Sequence, residues 1–229
     1  MIDLRTGDGV AGLAELTPQS VDLVFADLPS GQTQAPFDVP LDLERFWAAV
    51  RSAVKPRAAV VLMASHLRFA ADILASNRAH FRFDLVWTKN KASGFLNAKR
   101  MPLRAHEHLL VFSREPARYF PQKRDTGRPM HAATQTGHGH NYGAKTRKVH
   151  TSAGTTLRHP TSVLAVPVVN NDDPNRTHPQ QKPEALAAWV VSSFTLPGDL
   201  VVDPCAGSGS SGRAAAALGR RWIGWEIAS

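Results

Sequence analysis

The stretch VVDPCAGSGSSGRAAAALGRRWIGWEI, residues 201–227, constrains this chain more than any other. An apolar run ends at Asp203 and is followed by glycines at 207, 209 and 212. An alanine-rich segment closed by Gly219 comes next, and then a second apolar run ending at Glu226. The pattern predicts a strand over Asp199 to Asp203, a glycine turn, a helix over Ser211 to Leu218 and a strand over Arg221 to Trp225. A unit of this kind is a nucleotide-type βαβ element, and here it lies at the carboxyl end of the sequence.

Glycines at this spacing let a backbone turn approach a ligand closely, and an acid at the tip of the following strand can accept hydrogen bonds from a ribose diol. That logic suits NAD, FAD or an adenosyl cofactor equally. Asp203 separates them, because an acid beside the turn repels a pyrophosphate yet can hold a cationic amino acid group. The same position also fits a purely structural turn.

Upstream, periodicity predicts strands at Met1 to Arg5, Val21 to Ala26 and Ala58 to Ala64, with helices at Leu43 to Val54 and Leu67 to Ala75. Phe83 to Lys89 and His108 to Ser113 read as neighbouring strands, and Pro183 to Phe194 as a helix opened by proline and glutamate. Alternation of this kind predicts an α/β fold with a mostly parallel sheet and an antiparallel edge strand. From Glu115 to Pro174 periodicity fails; only Thr161 to Val169 can pair, and Pro167 keeps that run from being a central strand. An irregular insert this long is usually functional or disordered.

The net charge of +8 is concentrated in that insert, where eight Lys/Arg between Arg118 and Pro160 face one acid, Asp125. The segment reads either as a solvated loop or as a surface for phosphates. Arg124, Arg128, Lys145, Arg147 and Lys148 are the candidate DNA contacts, positioning phosphates rather than reading bases. One cysteine, Cys205, excludes an internal disulfide, and no apolar run is long enough for a membrane span. The amino terminus has no signal-like core, so a cytoplasmic, nucleoid-associated protein is expected. His131, HGHNYG from His138 to Gly143 and His150 lack metal-ligand spacing, so no metal is expected.

Four segments in order carry a resemblance. DLPSG (Asp27 to Gly31) is followed by LVWTKNKASGFLNAKRMPLRAHEHLLVFSR, then THPQQKPEAL (Thr177 to Leu186), then the glycine turn. Together they resemble the amino-methylating DNA methyltransferases of the β group, in which the catalytic motif precedes the target-recognition insert and the cofactor motif. The resemblance implies a Rossmann-like class I methyltransferase fold with circularly permuted motif order. It divides the chain into a catalytic half (1–115), a target-recognition insert (116–173) and a cofactor-binding half (174–229).

It also implies S-adenosyl-L-methionine as methyl donor, with Asp203, Gly207 and Gly209 along its methionine part and Glu226 on its ribose. Lys182 and Pro183, with His178 nearby, would border its carboxylate, and Asp8 its adenine. Cys205 stands where the family has an aromatic residue. In the catalytic motif Asp27, Leu28, Pro29 and Ser30 replace Asp-Pro-Pro-Tyr. By the family's mechanism, the Asp27 carboxylate and the Leu28 carbonyl accept the two N–H hydrogens of an exocyclic base amine. The base must be flipped out of double-stranded DNA to reach them. Ser30 cannot stack on that base, and Phe37 and Phe95 are candidate substitutes.

An initial Asp is commoner in adenine-N6 enzymes, so adenine is the expected target. Cytosine N4 is the alternative, and a catalytically weak DNA-binding relative the alternative of another class. An NAD-dependent dehydrogenase is disfavoured by Asp203. Homodimerisation is compatible with the sequence but not specified by it.

Overall fold

The computed structural model describes residues 1–31, 39–130, 153–174, 176 and 181–227. Strands are β1 (Ile2–Thr6), β2 (Val21–Asp27), β3 (Val54–Ala64), β4 (Phe81–Ser93), β5 (Arg104–Phe112), β6 (Arg124–Asp125), β7 (Leu157–Arg158), β8 (Val163–Ala165), β9 (Leu200–Asp203) and β10 (Arg221–Glu226). Helices are α1 (Gly9–Ala14), α2 (Leu43–Ala53), α3 (Leu67–Ser76), α4 (Glu184–Phe194) and α5 (Ser210–Ala217). No helix among the described residues is long and apolar enough to cross a membrane.

The chain divides into two compact units, one of residues 1–120 and 162–229 and one of residues 121–161. The larger is built on an eight-stranded sheet of order β1-β10-β9-β2-β3-β5-β4-β8. The first five strands are mutually parallel. Only β5 runs against its neighbours, and it lies inside the edge, with β4 antiparallel to it and β8 parallel to β4 outside. Pro167 lies two residues past the end of the edge strand β8, where a missing N–H costs no ladder bond.

Alternation along the central strands sends side chains to two cores. Val24 and Ala26 of β2 and Val60, Leu62 and Ala64 of β3 join Phe46, Trp47 and Ile73 from α2 and α3. Leu23 and Phe25, with Val61 and Met63, face Leu186, Val190 and Phe194 of α4 and Ala214 and Ala215 of α5. Helices therefore cover both faces, which is why β2 and β9 read as continuous apolar runs.

Helix α1 escapes periodicity because it has only six residues, GVAGLA. Its glycines serve close approach. A Cβ at Gly9 would lie 2.0 Å from the Pro204 carbonyl oxygen, and one at Gly12 would lie 2.1 Å from the Trp225 indole nitrogen. The helix is thereby pressed against the glycine turn on β9 and against β10.

The smaller unit is a two-stranded antiparallel ribbon in which Arg124 pairs with Arg158 and Asp125 with Leu157. Backbone bonds from Thr126 to Thr156 (3.1 Å) and from Met130 to Thr155 (2.9 Å) extend it.

Gly12→Ala forces the Trp225 ring to move inside a packed core. The expected cost is about 1–3 kcal/mol, read as a fall of about 2–4 °C in melting temperature per kcal/mol. An unchanged melting temperature would mean that α1 is not held against β10 this tightly.

Candidate active site

The two central strands send the chain in opposite directions. From β9 it goes through α5 to β10 on one side, and from β2 through α2 to β3 on the other. A crevice opens outside the carboxyl ends of such strands, because the connections leaving them diverge. Asp203 ends β9, Asp27 ends β2 and Glu226 ends β10. Asp8 follows the end of β1. Four acids predicted from separate parts of the sequence thus come to one edge.

Their convergence registers on Cys205. Burial pushes its thiol well above the ordinary value, and the charges of Asp203, Asp27, Glu226 and Asp8 push it further. Each acid has its own anchor. Asp203 is buried; its Oδ1 accepts from the Cys205 N–H (3.1 Å) and its Oδ2 from Ser211 Oγ (2.5 Å), which in turn accepts from the Trp222 indole (3.2 Å). Burial, opposed by those two hydrogen bonds, raises Asp203 from 3.8 to about 7. Glu226 Oε2 accepts from the Gly207 N–H at 2.6 Å, tying the glycine turn to the tip of β10.

Asp8 caps α1, its Oδ1 accepting from Val10 (2.8 Å) and Ala11 (3.2 Å), while Oδ2 pairs with Arg45 at 2.7 Å. Burial would raise its carboxyl, but the Ala11 amide, Arg45 and the Val10 amide together hold it below the ordinary value.

The glycine turn needs its glycines. Gly207 (φ +50°) and Gly209 (φ +70°) are left-handed, and a Cβ at Gly207 would meet nothing within 4 Å. Backbone bends there beside open space, the condition for a ligand to lie against it. Gly209 caps α5.

On the β2 side Leu28 is buried, Pro29 and Ser30 are half-buried, and Asp27 keeps a third of its side chain exposed. Lys182, next to Pro183 at the start of α4, places Nζ 2.8 Å from Asp27 Oδ2. The same ammonium lies 3.3 Å from Glu107 Oε2, and Glu107 Oε1 is paired with Lys89. The result is an alternating chain, Asp27, Lys182, Glu107, Lys89, whose last three members are 19%, 5% and 9% exposed. Burial opposes charge on Lys182, but Asp27 and Glu107 more than offset it and raise its pKa. Burial likewise opposes charge on Glu107, and Lys182 and Lys89 hold its carboxyl below the ordinary value. Lys182 is therefore a fixed cation and not a proton acceptor.

Glu107 and Lys89 are site residues that sequence reasoning missed as such. The signal was present in the W-T-K and H-E pairs, but only the sheet register, with Trp87 opposite Glu107, brings them under Lys182. His178, Lys145, Arg147, Lys148, Phe37 and the histidines of 131–150 lie outside the described residues. Arg124 and Arg128 are exposed on the ribbon of the smaller unit. Among the described residues no three His, Cys, Asp or Glu side chains gather as a metal site.

A sequence model described as DNA methylase, of the N6/N4 type, matches residues 21–229. The chain belongs to this DNA methylase family. One relative is the DNA adenine methyltransferase YhdJ of Escherichia coli (strain K12), 49% identical over 57 residues. That stretch is 25% of this chain and 19% of the relative, so the match spans about a fifth of the relative's length. The fold resembles the crystal structure of the M1.HpyAVI–SAM complex (TM-score 0.66, 21% identity, 100% of this chain and 94% of that one). It also resembles the cytosine-N4-specific PvuII DNA methyltransferase (TM-score 0.67, 18% identity, 99% and 82%). In this family member the mostly parallel sheet with its reversed strand is the class I methyltransferase arrangement.

Two outcomes follow from the charges. Asp203 is held protonated by the fold above the pH at which an unfolded chain loses its proton. Its contribution is therefore complete below 3.8 and is lost as pH rises to about 7. Asp203→Asn should flatten the fall in thermal stability over that window; an unaltered slope would place its origin elsewhere. Glu107→Gln leaves Lys89 and Lys182 facing each other with no anion between them. Chemical denaturation should show a loss of about 3–5 kcal/mol, and a loss below about 1 kcal/mol would mean that water has replaced the carboxylate.

Proposed function

We propose that this chain methylates the exocyclic amine of a base in DNA, adenine N6 in the first place, with S-adenosyl-L-methionine as donor. The observation that carries the reading is the meeting of strand ends: Asp27, Asp203 and Glu226 end β2, β9 and β10, neighbours in one parallel sheet, and Asp8 follows β1, beside a glycine turn whose Gly207 has open space at its Cβ position. An edge this acidic repels a pyrophosphate but fits a cofactor carrying a sulfonium and an ammonium. The same carboxylates disfavour the pyrophosphate of NAD or FAD.

Gly207 and Gly209 would lie along the cofactor with Glu226 at its ribose, and Asp8 would border the adenine. The roles of Asp203 and Cys205 are to shape the turn, since both oxygens of Asp203 are already engaged by Cys205 and Ser211. When bound, S-adenosyl-L-methionine supplies an electrophilic methyl group on sulfur. The protein's own work is on the amine. Its nitrogen lone pair is delocalised into the base ring, and accepting both N–H hydrogens localises it toward a tetrahedral geometry. Asp27 accepts one and the Leu28 carbonyl the other, a task of alignment and electrostatics rather than of strong base catalysis.

Lys182 occupies Oδ2 of Asp27, which directs the amine to the remaining oxygen and keeps the carboxylate in place. Ser30 gives the base no stacking surface. The partner is double-stranded DNA with its target base flipped, and Arg124, Arg128, Lys145, Arg147 and Lys148 are assigned to its phosphates. The reading implies a cytoplasmic, nucleoid-associated protein, with homodimerisation a matter for solution measurement. The Asp-initiated motif and the likeness to YhdJ favour adenine; the likeness to the PvuII enzyme favours cytosine N4 as the second reading.

Incubation with labelled donor and unmethylated genomic DNA, followed by digestion to nucleosides, should yield N6-methyl-2′-deoxyadenosine. N4-methyl-2′-deoxycytidine would establish the second reading, and salt-sensitive DNA binding without transfer would mark a catalytically weak relative. Asp27→Ala should abolish transfer while donor binding by calorimetry survives, and turnover in that variant would remove Asp27 from the mechanism.

A further inference from the structure

The tip of the hairpin joining β4 to β5 has no part in the site described above, and it exposes a run of apolar side chains. Single exposed apolar side chains are ordinary. Here Phe95, Leu96, Met101 and Leu103 are 80%, 99%, 56% and 40% exposed within nine consecutive residues. From Asn90 to His106 the sequence carries four Lys/Arg (Lys91, Lys99, Arg100, Arg104) and no acid. Clustered apolar exposure ringed by one sign of charge marks an interaction site.

The tip holds a fixed shape. Gly94 turns the chain in the left-handed region (φ +89°), and one helical turn, Phe95–Asn97, follows. The Asn97 N–H bonds to the Gly94 carbonyl (2.9 Å), the Ala98 N–H to Phe95 (3.0 Å) and the Arg100 N–H to Asn97 (2.8 Å). These bonds present Phe95 and Leu96 outward instead of letting them fold back on the strands.

Register gives its direction. Asp27 pairs with Met63, Met63 with Leu109 and Leu109 with Leu85, so these four residues form one row across the sheet. β4 runs the same way as β2 and continues from Leu85 to Ser93. At about 3.3 Å per residue that carries the tip roughly 25 Å past the row, on the side where the acids gather. Phe95 therefore stands at the tip of the hairpin, on the side of the sheet where the strand-end acids gather.

We infer that this hairpin is a wedge for duplex DNA: Phe95 and Leu96 enter a groove beside the target base pair while Lys99 and Arg100 meet the flanking phosphates. The inference rests on the proposed action on DNA. A duplex offers both chemistries the tip requires, stacked apolar base faces inside and anionic phosphates outside. Apolar side chains set among cations unstack base steps in this way.

The test uses Phe95→Ala/Leu96→Ala in the full chain, with a thermal melt as control, since side chains this exposed add little to stability. Methyl transfer to native genomic DNA should fall roughly tenfold or more, the scale of one or two lost stacking contacts, and transfer to heat-denatured DNA by no more than about twofold. Equal losses on both, or no loss, overturn the inference. If the unaltered protein transfers methyl to neither DNA, the proposed function fails, and the wedge is then judged by binding alone. Fluorescence anisotropy with a labelled random-sequence duplex should show weaker binding by the variant, and unchanged binding overturns it. Lys99→Ala/Arg100→Ala should lower the slope of log affinity against log salt by about 2. A variant that shifts the oligomer on size exclusion, or loses only its sedimentation with phosphatidylserine vesicles, would assign the tip to a second copy or a membrane and overturn the inference.

Discussion

The functional edge depends on the divergence of the chain between β9 and β2. Two adjacent parallel strands carry their connections to opposite sides, so no backbone crosses the space above their carboxyl ends. Everything chemical in the molecule is placed relative to that gap. Asp203 and the glycine turn stand on one side of it, Asp27 on the other, and the α4 start brings Lys182 across. Without the divergence, Asp27 and Asp203 would be two strand ends 176 residues apart in sequence with nothing to share.

Gathering several carboxylates at one edge is electrostatically costly, and the structure offsets that cost locally. Arg45 and the α1 amides neutralise Asp8, the Gly207 amide takes Glu226, and Ser211 and Cys205 take Asp203. Asp27 meets the Lys182 ammonium, which is itself held by a second, buried carboxylate. The arrangement leaves the edge acidic enough to favour a cationic cofactor while fixing the one carboxylate that must face the base. Rigidity of this kind matters more for amine activation than basicity does, because the acceptors must meet two N–H directions at once.

Packing and chemistry share residues. Gly9 and Gly12 bring α1 against Pro204 and Trp225, and Trp222 both fills the α5 side of the core and donates to the Ser211 hydroxyl that holds Asp203. A change in either tryptophan would thus reach the glycine turn through contacts, with no ligand involved.

The strands and helices of the larger unit were legible from periodicity, because a parallel sheet covered on both faces leaves unbroken apolar runs and its helices keep an apolar stripe. The glycine turn and its acids were legible for a similar reason: a ligand that needs close backbone approach imposes a local pattern. Helix α1 was not, since six residues with two glycines carry no period; its reason is the tryptophan it packs against. The reversed strand β5 was foreseen, but its place inside the edge was set by pairing with both β3 and β4. The ion chain from Asp27 to Lys89 was invisible for a deeper reason. Its members sit on β2, the start of α4, β5 and β4, and which charges neutralise one another is a matter of sheet register and helix placement, which exist only once the chain has folded.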